Sequence, residues 1–449
     1  MKKAKIFYFT LQDEQTKAEK LAWFKRAKFE KIPFEQITPD KKANWINLSD
    51  NDFDHLLPLI DKEVKDGKSK QAIFILFSRG VETTRDEWVY DFSQANIRNK
   101  IKFFIENYNK SITDEKSCDS IKWSSSLTEY ANSKINILYQ AKLIIKALYR
   151  PYSSQYFYSE KLTSQRLTKN HYEIYGSDLN RENSLIGFMG QSAGKPFAVI
   201  ATNLIPDLNC ISPASGGTQC LPLYRYEKDG TRIDNITDWG LNQFQTHYST
   251  LEITKLDIFH YVYAVLHHPA YRSKYEFNLK REFPRIPFYE NFQQWANWGK
   301  QLMDLHINFE DVELYDLERI GEGVIDETHA TIQASLLDEN SNTQTIIPNQ
   351  ATPKCKLKAD KVAGTIELDS VTSLSGIPAI AWDYKLGNRS ALEWILDQYK
   401  EKKPKDPTIA KLFNTYRFAD YKEHVIELLQ KVCTVSVETM KVIQQMPDT

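Results

Sequence analysis

Long apolar runs are missing from this 449-residue sequence, and so is any overall excess of charge. A membrane-spanning helix needs about 20 consecutive apolar residues, and no stretch approaches that. The opening MKKAKIFYFTLQDEQ has a basic tip but meets acids too soon for a secretory signal. Five cysteines, Cys118, Cys210, Cys220, Cys355 and Cys433, stand far apart with no C-x-x-C among them. That excludes a zinc ribbon or a disulfide framework and predicts a reducing, cytoplasmic setting. A net charge of −1 excludes a globally basic protein but not a local basic face. What is present is ordinary for a globular chain, 41% hydrophobic and 26% charged, with length for roughly two to four domains.

Catalytic signatures are also scarce. GQSAGKP, at 190–196, imitates two of them. A phosphate-binding P-loop needs four residues between its glycines and a hydroxyl after the lysine. Here three residues separate Gly190 from Gly194, and Pro196 follows Lys195. The same stretch satisfies G-x-S-x-G around Ser192, but a nucleophile elbow requires a helix next, and PFAVIAT reads as a strand. SLIGFM and PFAVIAT therefore predict a β-hairpin with the glycines in its turn. His267 and His268 are adjacent, so a helix points them about 100° apart and they cannot share a metal. Asp207, Asp383 and Lys385 can be forced into a Mg²⁺-nuclease pattern only across a long separation. No G-x-G-x-x-G follows a strand, and no Asn-Pro-Pro-Tyr/Phe element is present. The residues alone read as a multidomain binding protein without a catalytic site.

The pattern along the chain predicts an α+β multidomain protein. Residues 1–140 read as α/β, with KIFYF and QAIFILF as buried strands. Ile97, Ile101, Phe104, Ile105 and Tyr108 form one helical face, and 112–126 is a polar loop. Residues 141–250 become β-rich and loop-rich, with strands such as FAVIAT and LPLYRY, the usual character of a recognition surface. Residues 251–449 read as mainly helical with a β-hairpin insertion. Ile258, Tyr261, Val262, Val265 and Leu266 make one stripe that Pro269 closes, and Tyr275, Leu279 and Phe283 belong to a second helix. Segment 354–377 reads as a hairpin or meander turning at Gly364. Ser390 and Glu393 form a capping box, and Leu428, Val432, Val435 and Met440 mark the last helix.

Charge is unevenly spread. Residues 141–200 hold eight Lys/Arg against four Asp/Glu, and 304–339 hold eleven Asp/Glu against Arg319 alone. Each block by itself is explained by a solvated face.

Four stretches together carry a resemblance: IFILFSRGVETTRDEWVYDF at 73–92, ALYRPYSSQYFYSEKLTSQ at 147–165, IFHYVYAVLHHPAYRSKYEFNLKREFPRIPF at 258–288, and LSGIPAIAWDYKLGNRSALEWILDQY at 374–399, followed by TVSVETMKVI. They resemble the C-terminal specificity region of type ISP restriction–modification enzymes. In that family a nuclease, a helicase-like ATPase, an adenine-N6 methyltransferase and a target recognition domain follow one another. The resemblance implies sequence-specific binding of double-stranded DNA in phage defence, with methyltransferase and helicase/nuclease partners in cis or in trans. S-adenosylmethionine, ATP and Mg²⁺ belong to those partners, and this chain itself would be non-catalytic. Residues 1–140 would then adjoin the methyltransferase.

DNA recognition needs cations for phosphates and bidentate side chains for base edges. Gln191, Ser192 and Lys195 on the turn can read a groove, or the turn is a plain hairpin. Lys161, Arg166 and Lys169 can line one side of a segment as phosphate contacts or as ordinary surface charge. Gln219 can read adenine edges. Arg85 either contacts DNA or pairs with Glu82 or Asp86. Arg150, beside Tyr149 and Tyr152 in YRPY, is expected to stack there in a structural role. A second reading makes the chain a protein–protein scaffold, docking through the acidic 304–339 stretch and the helical C-terminal part.

Overall fold

The structure, a computed structural model, describes residues 4–11, 17–39, 44–46, 51–114, 118–192, 194–212, 216–321 and 353–448. It mixes helices with several small sheets. Among the described residues no helix is long and apolar enough to cross a membrane.

Among the described residues three sheets have four strands, and the first runs in the order Ile205–Pro206, Ile144–Arg150, Ser153–Tyr158, Tyr90–Asp91. The second is antiparallel throughout, in the order Ser78–Arg79, Thr218–Pro222, Leu185–Met189, Val199–Thr202. The third holds Cys355–Asp360, Thr365–Asp369, Ser373–Ser375 and Glu318–Ile320, so the insertion expected at 354–377 is a meander.

Among the described residues three apolar cores form, and the strand Leu185–Met189 contributes to each. Ile186 and Phe188 pack with Ile73, Phe74 and the helices Lys255–His267 and Phe292–Ile307. Met189 packs with Trp382, Trp394 and the long helix Lys422–Ile443. Leu185 packs with Trp88 and the helix Gln94–Thr113. A strand buried on both faces at such a junction is held in register, which fixes where the turn begins at Gly190.

That turn is the expected hairpin connection, with Phe188 opposite Val199. Its two glycines differ. Gly190 donates its N–H to the Gly217 carbonyl at 2.8 Å, and a Cβ there would sit 2.2 Å from the Gly216 carbonyl oxygen. Gly194 meets nothing within 4 Å. Gly190→Ala is expected to destabilise the protein by about 1–3 kcal/mol through forced displacement, while Gly194→Ala leaves it nearly unchanged. Urea unfolding of the two variants checks this; equal midpoints would contradict it.

Three local readings differ from the sequence pattern. Residues Ala72 to Phe74 are fully buried as expected, but QAIFILF has no ladder, only an isolated bridge from Phe74 to Ile236. The Asn235 side chain takes the place of a neighbouring strand: it accepts the Leu76 N–H at 2.7 Å and donates to the Leu76 carbonyl at 2.8 Å. Pro269 does not merely close a helix. It opens the next one, Pro269–Lys274, where its missing N–H costs nothing. The helix expected over Tyr275 to Phe283 is broken at Tyr275, which separates Pro269–Lys274 from Glu276–Arg281. The Ser390–Glu393 capping box and the helix through Leu428 and Met440 are formed as the pattern predicts.

Two buried histidines set an acid limit on this fold. His306 bridges the Tyr263 hydroxyl and Thr439 Oγ1 at 2.5 and 2.8 Å, and burial lowers its pKa to about 3. His171, also buried, is lowered to about 4. Both are neutral when folded and titrate near 6.5 when unfolded. Protons therefore bind the unfolded chain preferentially once pH drops below about 6.5, and stability declines from there toward the folded pKa values. Unfolding free energies measured at pH 7, 6 and 5 should fall in that order; a level profile would contradict the assignment.

Candidate nucleic-acid interface

The second sheet ends in a polar cleft of about 400 Å³. Gln219 lies directly across the ladder from Arg79, which puts both side chains on one face. Arg79 is exposed, and its guanidinium lies over Gly217, 3.0 Å from where a Cβ would stand. Gln219 is 7% exposed and opens into the cleft. Gln191, half-buried on the hairpin turn, lines the same space.

The opposite wall is the start of the helix Lys169–Tyr175. His171 anchors it. Its Nδ1 accepts the Thr168 N–H at 3.0 Å, which leaves Nε2–H to donate to the Arg79 carbonyl at 2.9 Å. This bond ties the helix to the Arg79 strand and brings Asn170 to the cleft. Arg166 stands at the rim, 63% exposed, with a loose 3.6 Å pairing to Glu82. Lys65 completes the lining with Lys62; it donates to the Phe77 carbonyl at 2.7 Å, and burial lowers its pKa. Three side-chain amides thus face a space rimmed by four cations. Gln191, Gln219 and Asn170 all line this space with side-chain amides, each of which carries both donors and an acceptor.

Of the eight residues singled out from sequence, Gln191, Gln219 and Arg166 meet here. Lys161 and Lys169 share a neighbouring cleft of about 1040 Å³ with Arg181, Arg225 and Lys228. Lys169 is 81% exposed and pairs with Glu173 at 2.8 Å. Ser192 is held at φ +64°, and its N–H donates to the Lys280 carbonyl at 2.8 Å, so the turn is docked on the helical part rather than loose. Lys195 is half-buried, with its Cβ 3.9 Å from the position a Gly387 side chain would take. Arg85 is different. It is 1% exposed, bonds Ser124 Oγ and lies over the Phe104 ring at 5.4 Å. Burial lowers its guanidinium to about 10, so it stays charged at neutral pH. Neither Glu82 nor Asp86 is its hydrogen-bond partner, and it has no surface to offer a phosphate.

Sequence reading missed Arg79, Asn170, Lys62 and Lys65. Arg79 stood at the end of an apolar run, and only the Gln219 register brings it to the cleft. Arg150 stacks on Tyr149 at 3.9 Å, as its neighbours suggested, and also pairs with the buried Asp207 at 2.7 Å. Ser192 sits between two strands with no helix behind it, and among the described residues no group of His, Cys, Asp or Glu is arranged to hold a metal.

Fold and cleft together place a polar, cation-rimmed space at the end of a buried sheet. The chain belongs to the Type ISP C-terminal specificity domain family, which its residues 72–428 match. It is similar over 99% of its length to the DrdV–DNA complex solved by cryo-EM, with 42% identity and a TM-score of 0.82. It is likewise similar over 99% of its length to a nuclease-deletion mutant of the Type ISP restriction-modification enzyme LlaGI, solved with a DNA substrate mimic, at 28% identity and a TM-score of 0.75. The Type ISP enzyme LlaBIII, bound to DNA, shares the fold at 24% identity and a TM-score of 0.74 over 92% of this chain. The chain spans 43%, 39% and 25% of those three proteins respectively. No curated protein is similar to it at a significant level.

Proposed function

We propose that this chain is the target-recognition part of a type ISP restriction–modification system and reads duplex DNA along the Arg79–Gln219 cleft. One observation carries the reading: amide side chains able to form paired hydrogen bonds with adenine edges converge inside a ring of cations. The cations Lys62, Lys65, Arg79 and Arg166 would hold phosphates and set the register, while Gln191, Gln219 and Asn170 would meet bases. Gln191 on the hairpin turn and Asn170 at the start of the helix Lys169–Tyr175 flank the cleft from two sides. Lys161 and Lys169 would extend the phosphate track, and Ser192 and Lys195 would touch the backbone beside the turn. Both DrdV and LlaGI were solved with DNA or a DNA mimic, which supports the same ligand here.

In this reading the chain supplies binding and register from the cytoplasm and does no chemistry. An adenine-N6 methyltransferase and a translocating nuclease outside it would use S-adenosylmethionine, ATP and Mg²⁺. The competing scaffold reading leaned on the acidic stretch 304–339, of which 322–339 lies outside the described residues. Fluorescence anisotropy with a labelled duplex tests the DNA reading. Affinity should fall steeply as salt rises from 50 to 200 mM, with log–log slope near −0.9 per phosphate held. No binding even at the lowest salt would overturn it.

A further inference from the structure

The helix Lys169–Tyr175 stands between two clefts. Asn170 and His171 line the one that Gln219 opens into, and Tyr172 and Glu173 line the other, which measures about 1040 Å³. Charge in the second cleft is lopsided. Lys161, Lys169, Arg181, Arg225 and Lys228 face the acids Glu173, Glu227 and Asp229. Two of those acids are engaged within the fold: Glu173 takes Lys169 at 2.8 Å, and Asp229 accepts the Thr231 N–H at 2.9 Å.

Arg225 stands out among the cations. It lies on the strand Tyr224–Tyr226, opposite Ile233 of Arg232–Asp234. It is half-buried and makes no ion pair among the described residues, and its Nε is shut off from water with no acceptor. A buried donor left unbonded costs about 1–3 kcal/mol, so this guanidinium calls for an acceptor that the fold does not supply. Arg181 is built the other way, exposed yet held still. Its guanidinium lies over the Tyr226 ring at 4.9 Å, and Nη1 donates to the Gly230 carbonyl at 2.8 Å. The ring is fixed in turn, because its hydroxyl donates to the Glu182 carbonyl at 2.9 Å. Two glycines leave the room for this arrangement. A Cβ at Gly176 would stand 2.6 Å from Arg181 Cδ, and one at Gly230 would stand 2.8 Å from Nη2. Asn183 closes the frame, donating to the Ile174 and Tyr224 carbonyls at 2.9 and 2.8 Å and so tying helix to strand. A surface arginine ordinarily loses rotamer freedom when it binds; here folding has already removed that freedom.

We propose that this cleft is a phosphate-binding site separate from the reading cleft, with Arg225 as its central cation, Arg181 as a fixed second donor, and Lys161 and Lys228 at the rim. Planar guanidinium donors match the oxygens of a phosphate, and several cations around one space favour an anion of more than one charge. A phosphodiester of a duplex running past the helix and a free phosphate-bearing molecule present the same group. The site itself stands without the recognition reading, and only a duplex source rests on it.

The test titrates inorganic phosphate into the full chain by calorimetry, with acetate at matched ionic strength as the control. Phosphate should bind saturably and acetate far more weakly. Arg225→Gln should weaken the phosphate isotherm by about ten-fold or more, and so should Gly230→Ala, which displaces the Arg181 head while leaving every charge in place. Duplex titrations identify the source. A salt slope smaller in magnitude by about one in Arg225→Gln, with the selected motif unchanged, assigns the phosphate to the DNA backbone. An unchanged slope beside intact phosphate binding by the parent assigns it to a free phosphate compound. No saturable phosphate binding by the parent together with an unchanged duplex slope would overturn the site. Equal affinity for acetate, or full phosphate affinity in both variants, would overturn it as well. So would a changed motif in Arg225→Gln, which would make this residue part of the reading cleft. Phosphate binding by a parent chain that enriches no DNA sequence would leave the site standing and count against the recognition reading.

Discussion

Reversing Arg79 and Arg166 together, Arg79→Glu with Arg166→Glu, should weaken duplex binding by about 100-fold near 0.1 M salt. It should also reduce the magnitude of the log–log salt slope by about two. Both groups are exposed, so the fold loses little. The Arg166–Glu82 contact is 3.6 Å long and on the surface, where such pairs contribute about 0–1 kcal/mol. The Arg79 backbone carbonyl, which receives His171, is untouched by a side-chain change. Thermal unfolding of the double variant should therefore stay close to that of the parent while anisotropy titrations shift. Unchanged affinity and slope would remove this rim from the interface.

The largest stability effect is expected behind the cleft. Arg150 pairs with Asp207 at 2.7 Å, and side-chain exposure is 12% and 2% for the two partners. Asp207 and Leu208 tie three segments together. The Asp207 N–H reaches the Leu148 carbonyl, the Leu208 N–H reaches Val81, and the Leu208 carbonyl receives the Thr218 N–H. That tie holds the Gln219 strand against the turn carrying Arg79 and Gly80. Removing one partner of a buried pair leaves an uncompensated charge and typically costs about 3–5 kcal/mol. Arg150→Ala should lose stability of that order.

The loss should depend on pH. Burial already pushes the Asp207 carboxyl up to about 7 against the pull of Arg150. Without the arginine it rises further, so the folded variant keeps a proton that the unfolded chain gives up near pH 4. For an acid with a raised folded pKa, stability is lost as pH increases through that interval. Denaturant unfolding at pH 6 and pH 8 should show the greater deficit at pH 8. An equal deficit at both would mean that Asp207 is not the group left stranded.

How much of this was legible in the sequence differs from element to element. The hairpin at 190–196 was readable because glycine placement and flanking apolar runs are local signals. The Ser390–Glu393 box was readable for the same reason, since cap chemistry is complete within four residues. The QAIFILF segment shows the limit. Its burial followed from composition, but its hydrogen bonds go to Pro58, Leu59, Thr237 and Asn235, the last 159 positions from Leu76, and no local pattern announces that. The cleft was half legible. Gln191, Gln219 and Arg166 stood out as polar groups in a loop-rich region. Arg79 and Asn170 join them only through the Gln219–Arg79 register and the His171 bond, which are tertiary facts. Arg85 misled for a physical reason: a cation in a polar turn looks exposed, and only the packing of Phe104 and Ser124 encloses it.

The measurement that bears most directly on DNA reading is a binding selection. The chain and its Gln219→Ala variant would each be mixed with a random duplex library at two salt concentrations, and the bound DNA sequenced. The account predicts one enriched asymmetric motif for the parent that survives the higher salt, with preference at an adenine position relaxed in the variant by about 1–3 kcal/mol. Binding that enriches no sequence and vanishes as salt rises would contradict direct readout by this chain.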